Sequence, residues 1–330
     1  MTQPFRLSIA VPLHNEEAVL PELLMRLRNA LVAIPEGPHE IVFVDDGSSD
    51  RTLQILEQAS AQDEQIIVVS LSRNFGHQAA LTAALDYTSG DAVVVMDGDL
   101  QDAPEAIASF VDKFREGYDV VYAKRVQRKE SWWLRGSYYL FYRLLARSSE
   151  VLLPVDAGDF GLMSARIVNQ LRQMREHHRY LRGLRAWAGF RQIGIDVPRQ
   201  RRHAGKSSYS IVRLVRLGTD GLFAFSTTPI RAAALLGALA VTFCCAYALY
   251  AAIARLLLHQ VPSGFTALTF LIVLAFGVNL LFLGIIGEYV GRVYEEIKSR
   301  PLYIVSTVIR KGGRVVPASF RACATSTVGK

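Results

Sequence analysis

In the stretch VVVMDGDLQDAPEAI (93–107), four carboxylates, Asp97, Asp99, Asp102 and Glu105, follow an apolar run almost without interruption. A second cluster, Asp45 and Asp46 in VDDGSSD, follows the apolar run EIVFV, and VPLHNEE ends a third such run with Glu16 and Glu17. Carboxylates brought together repel unless a cation or a hydrogen-bond donor lies between them. A hard divalent cation meets that need when it also bridges to a diphosphate, because Mg²⁺ favours one or two carboxylates plus phosphate oxygens. Asp45 and Asp46 could instead accept hydrogen bonds from a nucleobase or ribose. Gly98, between Asp97 and Asp99, is expected to turn the chain tightly and leave room for a ligand near the backbone. A single Asp-x-Asp is also a common strand-closing turn or helix cap. Three acidic strand ends in one alternating region are what turn the reading toward a ligand.

The elements that must position these residues are legible between about residues 5 and 125. LSIAVPL, EIVFVDD, IIVVSLS, AVVVMDGD and DVVYAKR are short, β-branched and of strand length, and helix-length stretches separate them at 16–33, 52–61 and 77–88. This alternation predicts βαβ units and a mostly parallel sheet, with ligands in the crevice beyond the carboxyl ends of the strands. Ser48, Ser49 and Asp50 are candidate caps for the second helix. Neither Gly-x-Gly-x-x-Gly nor the Walker phosphate loop occurs, which argues against a dinucleotide oxidoreductase or a P-loop NTPase. A nucleotide held through a metal ion fits what remains.

The 330-residue chain carries 37 Lys and Arg against 30 Asp and Glu, a net +7, and is 51% hydrophobic, with a mean hydropathy of +0.21. That is too apolar for an ordinary soluble protein of this length. Residues 232–254 and 265–286 contain no charged side chain, and each is long enough to cross a bilayer core. The alternative is a hairpin buried in a soluble core. Lys and Arg are absent from 259–264, although Arg255 lies near that end of the first span, whereas Arg231, Arg292, Lys298, Arg300, Arg310 and Lys311 lie beyond the other ends of the two spans. The positive-inside rule then puts both termini in the cytoplasm. The first residues lack a basic region followed by a long apolar one, so a cleaved secretory signal is not expected. Residues 131–154 mix Trp132, Trp133, Tyr138, Tyr139, Phe141 and Tyr142 with Arg135, Arg143 and Arg147, a composition suited to a helix in the membrane interface. The arginines of 172–216 read mainly as juxtamembrane attraction to anionic lipid. Cys244, Cys245 and Cys323 have no metal-ligand spacing. The basic residues cluster near the spans, so no nucleic-acid partner is expected.

The motifs IAVPLHNEE, IVFVDDGSSD, LSRNFGHQAALTAALDYTSGD, MDGDLQDAPE, VVYAKR, AGDFGLMS, STTPIRAAALLG and GIIGEYVGRVYEEIKSRPLYIV occur in this order. Together they make nearly the whole chain resemble a family 2 glycosyltransferase of the GT-A fold. Within that family it is similar to the branch of dolichyl-phosphate mannose synthases and bacterial polyprenyl-phosphate glycosyltransferases. The resemblance implies a GT-A core at 1–130 and a region at 131–228 that completes the catalytic domain. Two transmembrane helices at 229–291 and a cytoplasmic tail at 292–330 follow.

The resemblance also implies roles. Asp97 and Asp99 match the metal-binding Asp-x-Asp, with Gln101 a further ligand and Mg²⁺ or Mn²⁺ the cofactor. Pro12, Glu16, Asp45 and Asp46 match positions that hold base and ribose. His14 stands where many relatives have Tyr. Arg125, Arg135 and Arg202 are expected near the acceptor phosphate, since an Arg fork suits phosphate oxygens. Asp159 matches an Asp implicated in catalysis, with Asp156 nearby, and Asp99 shares that expectation. In RQRRHAGKSSY, Arg199, Arg202, Gly205, Ser207 and Tyr209 follow an Arg-x-x-Arg-x-x-Gly-x-Ser-Lys-Tyr pattern. Ser208 occupies its Lys position, and Lys206 stands two places earlier as the candidate diphosphate contact beside Arg199.

The implied activity is inverting transfer of a hexose from a nucleoside diphosphate sugar, UDP-glucose by overall similarity, to polyprenyl phosphate at the bacterial inner membrane. The product would be a lipid-linked sugar for modifying cell-envelope glycans, including lipopolysaccharide. A homo-oligomer, a tetramer by analogy, is expected. The rivals are a processive polysaccharide synthase, whose Gln-x-x-Arg-Trp motif is absent while Arg182-Gly183-Leu184 occupies that region, and a non-catalytic membrane scaffold.

Overall fold

Central strands buried on both faces need continuous apolar sequence rather than alternation, and this chain supplies it. In the computed structural model, which describes residues 4–125, 157–177, 179–197, 228–257 and 264–316, every residue of β1 (Leu7–Leu13), β2 (Glu40–Asp45) and β3 (Ile66–Leu71) is buried. With β4 (Ala92–Val95) they form a parallel block in the order β4-β1-β2-β3. Three helices connect them: α1 (Leu20–Val32), α2 (Thr52–Gln62) and α3 (His77–Tyr87). In α1 the buried positions Leu20, Leu23, Leu24, Leu27 and Leu31 recur at helical spacing and seal one face. For α2, Asp50 is the residue that caps, its Oδ1 accepting the Thr52 amide at 3.0 Å. Ser48 and Ser49 are engaged elsewhere.

Outside this block the sheet is mixed. After α4 (Ile107–Arg115) come β5 (Val120–Arg125) and β6 (Ala157–Ser164). β6 inserts between β4 and β5, antiparallel to both. Next are α5 (Ala165–Gln173), α6 (Leu181–Trp187) and β7 (Gln192–Val197), the last pairing with β5 in parallel. The core beneath is aromatic: Phe110 and Phe160 are fully buried with ring centroids 4.8 Å apart, and truncating either to alanine would cost about 3–5 kcal/mol.

α7 (Thr228–Leu257) and α8 (Gly264–Ile297) belong to a second compact unit. Each contains a stretch long and apolar enough to cross a membrane, Ala233–Tyr250 and Leu271–Ile297. Their large apolar side chains point outward, Leu239 at 58% and Phe276 at 64% exposure. That removes the buried-hairpin alternative. The 34 residues of α8 span about 51 Å at about 1.5 Å per residue, well beyond a bilayer core of about 30 Å.

The stretch after α8 corrects one expectation. Residues 292–330 read as a tail, yet they contain β8 (Val305–Arg310) and β9 (Gly313–Val315). β8 pairs antiparallel with β3, and the nine strands run β7-β5-β6-β4-β1-β2-β3-β8-β9. Val305, Val308 and Ile309 give β8 its β-branched content, with Val308 and Ile309 buried, beside the basic residues Arg310 and Lys311. Tyr303 locks the return, its hydroxyl donating to Asp86 Oδ2 at 2.6 Å, and the Ser72 amide donates to the Ile304 carbonyl.

Candidate active site

The chain moves from β1 outward to β2 and β3, then returns to lay β4 on the other side of β1. The point where strand order reverses, between β1 and β4, is where an open α/β sheet forms its ligand crevice. β1 ends there with Pro12 and Leu13, β2 ends with Asp45, and Asp97 lies just past β4. Each acidic cluster singled out from sequence thus sits on the same edge of the sheet.

The loops after β1 and β2 are laced together. His14 Nδ1 lies 2.9 Å from the Asp46 carbonyl oxygen. The Asn15 amide donates to Ser48 Oγ at 3.0 Å, and Asn15 Oδ1 accepts the Ser49 amide at 2.8 Å. The Glu16 amide donates to Thr52 Oγ1. Asp45 is buried, and burial pushes its carboxyl above the usual range despite hydrogen bonds from Ser48. Asp46 is committed differently: Oδ1 accepts the Phe75 amide at 2.7 Å and Oδ2 the Gly76 amide at 2.9 Å. Its two oxygens therefore shape the loop that launches α3. Of the adjacent pair, Asp45 is the one whose carboxylate the backbone leaves less occupied.

β4 and β6 bring the remaining acids together. Their antiparallel register pairs Ala92 with Ser164 and Val95 with Gly161, and continuing it two residues sets Asp97 opposite Asp159. Two unshielded carboxylates so placed would repel. Arg182 of α6 answers for Asp159, donating Nε to Oδ1 and Nη2 to Oδ2, both at 2.6 Å. Burial alone would raise the Asp159 carboxyl, but the Arg182 fork, with Arg185 behind it, holds it below the ordinary carboxylate range. Arg185 is buried, its Nη2 3.3 Å from the Gly158 carbonyl and its guanidinium over the Tyr122 ring. Desolvation lowers its pKa to about 10.

Asp97 has no such clamp. Its Oδ1 is shielded from solvent and has no hydrogen-bond partner among the described residues, and His77 Nε2 stands 3.5 Å away. Burial, with Asp159 and Asp99 nearby, raises its carboxyl above the usual range, and His77 opposes the shift. Asp99 Oδ1 accepts the Gln101 amide at 3.1 Å, which folds the motif back on itself through Leu100 in a left-handed conformation (φ 56°). A buried carboxylate oxygen without a partner, next to a second carboxylate and an amide side chain, is a donor set that fits a divalent cation. Among the described residues no group of three or more His, Cys, Asp and Glu forms a cage, so ligand oxygens from elsewhere would have to complete the coordination.

Two expectations change. On its Cβ side Gly98 faces the Leu13 side chain, whose tip an added Cβ would meet, so the glycine there serves close packing between β1 and the loop after β4. Four of the six described arginines of the basic run also make inward contacts, Arg175 and Arg191 being exposed. Arg172 donates to the Leu85 and Thr88 carbonyls at the end of α3, and Arg179 to the Leu171 and Met174 carbonyls, while Arg182 and Arg185 serve Asp159. Sequence reasoning missed His77, Arg182 and Arg185. The one-turn spacing of the two arginines in LRGLRAW was the available signal. Arg125 is the last residue of β5; Arg135, Asp156, Arg199, Arg202 and Lys206 lie outside the described residues.

Comparison with known proteins fits this arrangement. Residues 8–172 match the model of the family described as glycosyl transferase family 2. An uncharacterized glycosyltransferase of Synechocystis, sll0501, is 42% identical over 91% of this chain and 94% of its own length. A protein named bactoprenol glucosyl transferase from Shigella phage SfV is 34% identical over 93% of this chain and all of its own. Among solved structures, Staphylococcus aureus TarS 1–349 in complex with UDP-GlcNAc is 20% identical over 67% of each chain, with a TM-score of 0.42. The match of residues 8–172 to the family model and the relatives 34–42% identical over more than nine-tenths of the chain have one meaning: the chain belongs to glycosyltransferase family 2.

Proposed function

We propose that this glycosyltransferase transfers a hexose, with UDP-glucose as the favoured donor, to the phosphate of a polyprenyl phosphate at the cytoplasmic face of a bacterial inner membrane, with inversion. The observation that carries the reading is the unpartnered, shielded oxygen of Asp97 at a nucleotide-type switch point, in a chain that also holds two membrane-length helices. Its relatives named bactoprenol glucosyl transferase support a lipid acceptor. The Lys and Arg distribution around the two spans supports a cytoplasmic catalytic unit.

Asp97, Asp99 and Gln101 would hold the cation. When bound, Mg²⁺ or Mn²⁺ supplies Lewis-acid neutralisation of the departing diphosphate. In the proposed step an acceptor phosphate oxygen forms a bond to the anomeric carbon from the face opposite the breaking bond to the diphosphate. A phosphate monoester already carries about −1.5 to −2 charge at neutral pH, so the nucleophile needs no base. Asp159 is suited to something else. Held ionised with both oxygens on Arg182, it fixes a rigid charged pair at the crevice wall, which orients the reacting groups. Pro12, His14, Glu16 and Asp45 line the side of the base and ribose. Arg199 and Lys206 are assigned to the donor diphosphate, and Arg125, Arg135 and Arg202 to the acceptor phosphate.

The test is incubation of the purified full chain with undecaprenyl phosphate and a panel of labelled sugar nucleotides, with Mg²⁺, Mn²⁺ or EDTA. Label entering the organic phase from one donor, and abolished by EDTA, supports the reading and names the sugar. Transfer that survives EDTA removes the metal. Nucleotide binding without transfer to any polyprenyl phosphate removes the acceptor assignment.

A further inference from the structure

We infer that His77 is a positioning residue for the cation site, orienting Asp97 through its Oδ1, and that Asp46 in turn sets the position of His77. The inference rests on the metal-dependent reading above and assigns to it two residues that do not ligate the cation. His77 Nε2 lies 3.5 Å from Asp97 Oδ1, the one shielded oxygen of the motif without a hydrogen-bond partner among the described residues. A small rotation of either side chain brings them within hydrogen-bond distance. Carboxylates and imidazoles at metal sites are commonly paired in this manner, one coordinating and the other holding it in orientation.

The placement of His77 is built in from β2. It is the first residue of α3 and follows Gly76, whose φ of +96° turns the chain into the helix. The Phe75 and Gly76 amides immediately before it are held by the two oxygens of Asp46. Gly47 brings the same loop into backbone contact: a Cβ there would lie 2.6 Å from Arg73 C and Asn74 N. The loop after β2 thus grips the start of α3 from two sides, and that start aims an imidazole at the tip of β4. The Asp45–Asp46 pair divides its work accordingly. Asp45 is left for the nucleotide, and Asp46 acts through the main chain on the other acidic cluster.

The test measures Mn²⁺ affinity of the full-length detergent-solubilised chain by the paramagnetic resonance of free Mn²⁺, alongside UDP binding in EDTA. His77→Ala is expected to weaken Mn²⁺ binding about 10-fold. His77→Gln, whose amide nitrogen can stand near the imidazole Nε2, is expected to restore it to within about twofold of wild type. Asp46→Asn is expected to weaken Mn²⁺ binding in the same direction as His77→Ala. UDP binding in EDTA stays unchanged in both His77 variants, which also reports an intact fold. Unchanged Mn²⁺ affinity in His77→Ala overturns the inference, as does a parallel loss of metal-free UDP binding, which would make His77 a direct nucleotide contact. If the wild-type chain itself binds no Mn²⁺ with or without UDP, the metal-dependent reading fails first and this inference with it.

Discussion

Arg182 holds both carboxylate oxygens of Asp159 at 2.6 Å in a planar fork, and the pair joins α6 to β6 beside the tip of β4. A carboxylate gripped in this way cannot also act as a free proton acceptor. It can keep a fixed charge next to Asp97 without letting the two acids repel.

Removing one partner of this pair leaves the other incompletely compensated. Breaking a buried pair costs about 3–5 kcal/mol, and Arg182, with about a quarter of its side chain exposed, places this one at or below the lower end. Asp159→Asn should lower the thermal unfolding midpoint by several degrees. Because the folded carboxyl is held below its ordinary range, the stabilisation is complete above about pH 4 and is lost as pH falls through the folded value. The difference in midpoint between wild type and Asp159→Asn should therefore be constant from neutral pH down to about pH 5 and disappear at lower pH.

Asp97 should behave in the opposite sense. Burial raises its carboxyl, so its charge opposes folding at neutral pH and the opposition is relieved as pH falls. Asp97→Asn should raise the unfolding midpoint of the protein in EDTA while reducing sugar transfer at least about 100-fold. A variant that loses both stability and transfer would show that the carboxylate has a partner that stabilises its charge.

Gly47→Ala tests the grip of the β2 loop on α3. Its φ of +64° costs an L-residue about 1–2 kcal/mol, and the added Cβ would meet two backbone atoms of Arg73 and Asn74 that have little freedom to move. Thermal unfolding should report a loss larger than the conformational cost alone.

Tyr303→Phe removes one hydrogen bond to Asp86, which also lies 3.5 Å from Arg175. A bond to a charged acceptor contributes about 1.5–3 kcal/mol, which should appear as a lower unfolding midpoint. A chain ending at Arg300 keeps both apolar helices but exposes the whole β3 edge. It should be recovered mainly as aggregate.

Much of this was legible because the signals are local. Strands β1 to β5 are short, mostly apolar and β-branched, α1 to α3 fill the gaps between the first four, and the acids at 45–46 and 97–99 stand where those runs stop. What stayed hidden depends on long-range geometry. Arg182 meets Asp159 only because α6 folds over β6, and in the sequence it is one arginine in a basic run. His77 reaches Asp97 across a crossover, and nothing adjacent in sequence marks it. Gly98 looked like space for a ligand, because a reader of the sequence cannot see Leu13 lying over it. β8 was concealed by its position after a membrane-length helix, where basic residues suggest a solvated end.

That last strand has a consequence for how the protein is made. β3 is complete at Leu71, but its partner β8 begins at Val305, more than two hundred residues later. At about 5–20 residues per second of synthesis, the edge of β3 waits roughly 10–50 s for its neighbour, and both apolar helices leave the ribosome in the interval. Both membrane-length helices are therefore synthesised before the strand that completes the β3 edge. Until Val305–Arg310 is made, the β3 edge stays open to pairing with other chains.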